Sequence, residues 1–233
     1  MGQGNYMNML GAPDGYVPEG LRSALRAGAR PTRVRKGQII LSEGAPSTDV
    51  YFIVAGLVQF SLISTLGRET ILRNMGEGQL FGELAAIDGQ PRSVNVIALK
   101  DSELAVLSAS DFRNFVTNTA GAGLWLAELL AARVRDLTAK TFELATMPVS
   151  NRLQGELLRR VDALGEATGD DDAFIIRNFP IHAELAARIG THREAVSREM
   201  SQLAQEGIIV QQGRTLRIVS LARLRAIFAR TAR

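Results

Sequence analysis

Cysteine is absent from this chain of 233 residues, and histidine occurs only as His182 and His192. Without thiolates there are no disulfides, cysteine-held metal sites or iron–sulfur clusters. Both histidines lie late in the chain, which removes a histidine-ligated haem from the first half. No apolar run approaches the roughly 20 residues that a membrane-spanning helix needs. The first twenty residues carry Pro13, Asp14, Gly15 and Pro18 in place of a signal-peptide core. A cytoplasmic protein with no membrane partner and no metal is expected. There is also no Ser–His–Asp set, metal cluster or phosphate-loop lysine motif, so catalysis is not expected; a cyclic-nucleotide hydrolase is the enzymatic reading left over, and it has no metal ligands to work with.

What is present divides by charge. Residues 188 to 233 hold nine Arg against three Glu, a net of +6, whereas residues 1 to 187 hold 18 basic and 21 acidic residues, a net of −3. The formal net charge of +3 therefore conceals a basic end, as expected where a terminal domain meets nucleic acid.

The pattern divides in the same way. Residues 1 to 20 are rich in Gly, Asn and Pro and are expected to be loosely ordered. A short helix is expected over Leu21 to Ala29, ended by Pro31. Short apolar runs then follow at Gln38 to Leu41, Val50 to Val54, Leu57 to Ile63, Thr70 to Met75, Val94 to Ala98 and Glu103 to Leu107, separated by glycines. Many short strands at close spacing predict an antiparallel barrel or jelly roll. Ser110 is the expected cap of a helix over Asp111 to Thr119.

Between the runs Thr70 to Met75 and Val94 to Ala98 lies Phe81-Gly82-Glu83-Leu84, followed after seven residues by Arg92-Ser93-Val94. A short helical turn opening at Gly82 would aim free backbone N–H groups at an anion, and the donor fork of Arg92 suits a phosphate. Glu83 has no place in a pure phosphate cradle, but a sugar hydroxyl beside the phosphate would satisfy it. An Arg92–Glu83 ion pair closing a surface loop is the plainer reading.

This stretch resembles the phosphate-binding cassette of cyclic-nucleotide-binding domains, with Val94 where that family usually has Ala. The resemblance implies that Glu83 holds the ribose 2′-hydroxyl and that Arg92, Ser93 and the Gly82 amide hold the cyclic phosphate. Phe60, Leu72 and Leu84 would line the apolar part of the pocket, or serve as ordinary core.

From Leu124 to about Met147 the chain has neither Gly nor Pro, and Pro148 stops the run. Ala127, Leu130, Val134, Leu137, Thr141 and Leu144 recur at steps of three and four, the seam of a parallel helix pair and hence of a homodimer. A single amphipathic helix would show a similar stripe. The resemblance favours the dimer, and it places Leu137 and Thr138 where cyclic-AMP-binding members set two adjacent hydroxyls against the adenine. Leu137 lacks the hydroxyl, so cyclic GMP stands beside cyclic AMP as ligand.

After a hinge at Pro148 to Asn151, a helix is expected over Val149 to Leu164, an acidic loop over Gly165 to Asp172 and a strand over Phe174 to Phe179. Ile181 to Glu206 then reads as two helices around a tight turn at Gly190, with Thr191 and Glu194 forming a capping box for the second. His192, Arg193, Glu194, Ser197 and Arg198 are its first exposed positions; Arg pairs with guanine and Glu accepts from cytosine. An Arg/Glu face that only meets solvent is the bland alternative. Ile208 to Val210 and Leu216 to Val219 form a hairpin wing with Arg214 at its tip as a phosphate contact, and a last helix covers Ala222 to Ala229.

Together these features resemble the cyclic-AMP receptor/fumarate–nitrate regulator family. The expectation is an α+β chain: a sensor domain over residues 1 to 120, a dimerisation helix over 121 to 148, and a winged helix-turn-helix over 149 to 233. The resemblance implies a homodimeric bacterial transcription regulator that binds palindromic double-stranded DNA when cyclic AMP or cyclic GMP fills the barrel, with RNA polymerase as a further partner. A regulator of the same fold that is nucleotide-independent or senses another ligand is the alternative.

Overall fold

A computed structural model describes residues 16–169 and 172–231. In chain order its elements are α1 (Glu19–Ala27), β1 (Arg30–Val34), β2 (Ile39–Leu41), β3 (Val50–Ala55), β4 (Leu57–Ile63), β5 (Glu69–Gly76), β6 (Leu80–Phe81), α2 (Glu83–Asp88), β7 (Asn95–Ala98), β8 (Ser102–Leu107), α3 (Ala109–Asn118) and α4 (Ala122–Thr146). They continue with α5 (Val149–Leu164), β9 (Glu166–Ala167), β10 (Phe174–Ile176), α6 (His182–Ile189), α7 (Arg193–Gln205), β11 (Ile209–Gln212), β12 (Thr215–Ile218) and α8 (Leu221–Thr231). The chain forms two compact units, Met1–Ala139 and Lys140–Arg233.

In the first unit the strands make two antiparallel four-stranded sheets, ordered β1-β8-β3-β6 and β2-β7-β4-β5. The expected α+β class and antiparallel strands are present; of the expected barrel or jelly roll, no closed barrel forms among the described residues. The alternation along β4 explains the layering: Val58 and Phe60 point inward, and a register shift between Phe60 and Ser61 then turns Ser61 inward as well. Ile53, Val58, Phe81 and Leu104 belong to the core these sheets share, while Phe52, Phe112, Trp125 and Leu129 belong to a second core against α3 and α4.

Several local expectations are corrected. The first helix runs Glu19–Ala27 and ends at Gly28, so Pro31 lies in β1, at a strand position compatible with its fixed φ. Ser108, not Ser110, caps α3, its hydroxyl accepting from the Asp111 amide at 3.1 Å. The acidic segment opens with β9, which pairs with β10, and Asp172 accepts from the Ala222 amide at 2.9 Å at the start of α8. Strand β10 is shorter than the expected Phe174 to Phe179. Residues 1–15, and Asp170 with Asp171, lie outside the described residues, so the expected looseness of the N-terminal extension does too.

Helix α4 has two faces. Ala122, Trp125, Leu126, Leu129 and Arg133 are buried, at steps of three and four. Around the other side Val134, Leu137 and Leu144 are 63 %, 58 % and 43 % exposed, with Ala127 and Thr141 exposed and Leu130 half-buried beside them.

In the second unit, α5, α6 and α7 pack around Leu157, Phe179, Leu185, Ile189, Val196 and Leu203, and β9 to β12 form a small sheet ordered β11-β12-β10-β9. Gly190 at the α6–α7 turn has φ 66°, and a Cβ there would fall 2.6 Å from Leu144 Cδ2. The helix pair and its wing hairpin are as expected.

Candidate functional site

The cassette forms one wall of a cavity of about 170 Å³ lined in part by Phe60, Leu72, Gly82, Glu83, Leu84, Arg92 and Ser93. The structure thus brings together all seven of the residues assigned to that pocket from the barrel. Leu137 and Thr138 are not brought to it: Leu137 is exposed on α4, and the Thr138 hydroxyl donates to Val134 O at 2.8 Å. A larger hollow of about 460 Å³ is lined by residues of α1 and β3 with Glu77 and Gly78. There Arg22 is already paired with Glu19 at 2.5 Å and with Val17 O at 2.9 Å.

Gly82 sits at φ 87°, in the left-handed region, and a Cβ would lie 2.8 Å from Asp49 O and 3.0 Å from Arg92 Nη1. Only glycine fits both the backbone and the space. That close approach lets the Arg92 guanidinium settle into a fixed frame. Its Nε donates to Ser47 Oγ at 3.0 Å, Nη1 to Gly82 O at 2.9 Å and Nη2 to Asp49 O at 2.6 Å. It lies 5.9 Å over the Tyr51 ring, which stacks on Phe81 at 5.0 Å. Burial pulls the Arg92 pKa below its ordinary value, opposed by Tyr51, Asp49 and Glu83. Burial likewise raises that of Tyr51. Three of the five guanidinium N–H groups are accounted for by these bonds, and among the described residues no carboxylate is in ion-pair contact with the cation.

Glu83 is 1 % exposed. The plain reading of an Arg92–Glu83 pair is replaced by a different one, because the carboxylate pairs with Arg133 of α4. Arg133 also donates to Leu80 O at 2.9 Å. Glu83 Oε2 is buried and has no hydrogen-bond partner among the described residues. Such an atom is costly unless a donor arrives.

Arg133 as a partner, and Ser47 and Asp49 as supports, were not legible as site residues from local motif. Arg133 did carry a signal, since it continues the buried stripe of α4 as a lone cation and a buried cation needs a counter-charge.

The DNA-reading candidates gather on α7. His192, Arg193, Glu194 and Arg198 are exposed and Ser197 is half-buried, all on or next to its first two turns. The expected capping box is corrected: His192 holds the cap position without a side-chain bond, so Thr191 lies one residue outside it and Glu194 is in the first turn. Arg214, at the wing turn, donates to Phe179 O at 3.3 Å and lies 4.0 Å from Glu184. Among the described residues no group of three or more His, Cys, Asp or Glu stands ready for a metal, and no helix is long and apolar enough to cross a membrane.

Residues 31–119 match the family model of the cyclic nucleotide-binding domain, and residues 151–227 that of the Crp-like helix-turn-helix domain. The cyclic AMP receptor protein of Thermus thermophilus is 32% identical over 203 residues, covering 86% of this chain and 89% of that one. The CRP-like cAMP-activated global transcriptional regulator of Mycobacterium tuberculosis is 26% identical, covering 87% and 89%. Among solved structures, the c-di-GMP responsive global regulator CLP of Xanthomonas campestris superposes with a TM-score of 0.73 at 23% identity, covering 86% of this chain and 99% of that one, a likeness of fold.

Proposed function

This chain belongs to the CRP/FNR family of transcriptional regulators, ligand-responsive DNA-binding proteins and not enzymes, and we propose that a cyclic nucleotide is the ligand of its sensor unit. The observation that carries the proposal is the pair of unfinished groups in one cavity. Glu83 Oε2 lacks a donor, and Arg92 is held by Ser47, Gly82 and Asp49 with donor capacity to spare. A ribose 2′-hydroxyl supplies the first group and a cyclic phosphate takes the second. Ser93, also on the wall, adds a hydroxyl to the phosphate.

Transmission follows from the Glu83–Arg133 pair. A hydroxyl donating to Glu83 would share its carboxylate with Arg133, and Arg133 lies on α4. The outward stripe Ala127, Leu130, Val134, Leu137, Thr141 and Leu144 is the seam for the second subunit, as suits a family of dimeric regulators. Leu137 and Thr138 would then meet the base across that seam. In the dimer, two α7 helices enter successive major grooves about 34 Å apart on a palindrome. Arg193 and Arg198 read guanines, Glu194 reads a cytosine amino group, and Thr191, His192 and Arg214 meet phosphates. RNA polymerase is the partner through which such binding acts on transcription.

Isothermal titration with cyclic AMP and cyclic GMP tests the ligand: saturable heat with either, lost in Arg92→Ala, is expected, and no heat with both overturns the assignment. A second reading is a sensor of another small ligand. It is favoured by the size of the cavity, about 170 Å³, against the roughly 300–1,000 Å³ usual for small-molecule sites. The missing hydroxyl at Leu137 points the same way. No heat with either mononucleotide, together with an operator affinity that neither of them changes, would select it.

A further inference from the structure

His182, the first residue of α6, belongs to neither the recognition helix nor the wing, yet its ring touches both. Nδ1 lies 2.8 Å from Ser197 Oγ on α7, and Nε2 lies 3.5 Å from Gln211 Oε1 on β11. The Gln211 amide nitrogen donates to Gly213 O at 3.2 Å in the wing turn, which fixes its oxygen toward the ring. A neutral ring with its proton on Nε2 is the tautomer that suits that carbonyl oxygen. In the neutral ring Nδ1 is then the acceptor, and it takes the hydroxyl proton of Ser197.

From this chain of contacts we infer that His182 is a positioning residue that fixes Ser197 as a hydrogen-bond acceptor on the DNA-reading face. With its proton committed to the ring, Ser197 Oγ has only lone pairs left to offer. It therefore selects a base edge that presents an amino group in the major groove, cytosine N4 or adenine N6, over one that presents only acceptors. A serine whose hydroxyl rotates freely donates or accepts and makes no such distinction. Gln211 makes the wing part of the arrangement: it holds the tautomer that His182 needs. The inference rests on the DNA-reading assignment of α7 made above and adds to it the polarity of one contact and the residues that set it.

The test uses full-length protein and operators selected from a random duplex library, with and without cyclic AMP, then varied one base pair at a time. Wild type is expected to favour an amino-presenting base at one position per half-site by about fivefold, the worth of one hydrogen bond. Ser197→Ala and His182→Phe should each bring that position to within about twofold of indifference while the other positions keep their preferences. Gln211→Ala should do the same; it is an exposed wing substitution, so it tests the tautomer even where His182→Phe does not fold. If Ser197→Ala relaxes the position and both His182→Phe and Gln211→Ala leave it intact, the inference fails and the assignment of α7 stands. If Ser197→Ala changes no position, both fail.

Discussion

The sensor cavity and the DNA-reading face are built in opposite ways. In the cavity the charged groups are nearly dry and mostly spoken for: Glu83 and Arg133 are paired with side chains 2 % and 10 % exposed, and Arg92 is framed by one hydroxyl and two backbone carbonyls. On α7 the arginines are exposed and their donors face solvent. A buried charge costs several kcal/mol unless it is paired, so its partners are part of the fold. An exposed one costs little and is free to meet DNA. On the proposed function, the cavity would couple ligand binding to structure, whereas α7 would couple DNA binding to sequence. Substitutions in the two regions should separate into losses of stability and losses of recognition.

The largest effect is expected at the buried pair. Arg133→Ala leaves the Glu83 carboxylate uncompensated and should lower unfolding free energy by about 3–5 kcal/mol in denaturant titrations. Glu83→Gln together with Arg133→Met should restore much of that stability without restoring ligand binding, which would sharpen the contrast. Gly82→Ala comes next. It forces a Cβ against Asp49 O at a positive φ and should cost about 1–3 kcal/mol, with ligand affinity lost in parallel because Arg92 is displaced.

On the other side of the comparison, Arg193→Ala should leave the melting temperature nearly unchanged. It should cost about 1–3 kcal/mol of discrimination at one base pair, read in binding titrations on single-substitution operators. The smallest effect belongs to Arg214→Ala, a uniform weakening across sequences with the log–log salt slope reduced by about 1. An Arg193→Ala protein that unfolded like Arg133→Ala would break the comparison.

Legibility followed the same division. The helix pair, its turn glycine and the exposed arginines are local in sequence, and their spacing was sufficient to place them. The cassette was legible for the same reason, since Gly82, Glu83 and Arg92 lie within eleven positions. Its supports were not: Ser47 and Asp49 reach Arg92 across 45 and 43 residues, and Arg133 reaches Glu83 across 50. Six of the strands in the first unit are readable from short apolar runs, but β1 and the two-residue β6 are not, and because pairing is non-local the runs alone leave a barrel and a two-sheet jelly roll both open. The α3 cap was missed because Ser108 and Ser110 are both cap-forming residues two positions apart, and the choice between them lies in backbone geometry.

The proposed function requires that occupancy of the Arg92–Glu83 cavity set the affinity of α7 for DNA. Fluorescence anisotropy of a labelled selected operator, titrated with the full-length protein at zero and saturating cyclic AMP and again with cyclic GMP, reads this directly. At least about tenfold tighter binding with one of the two nucleotides is expected, a coupling of about 1.4 kcal/mol. Equal affinity in their presence and absence would contradict it.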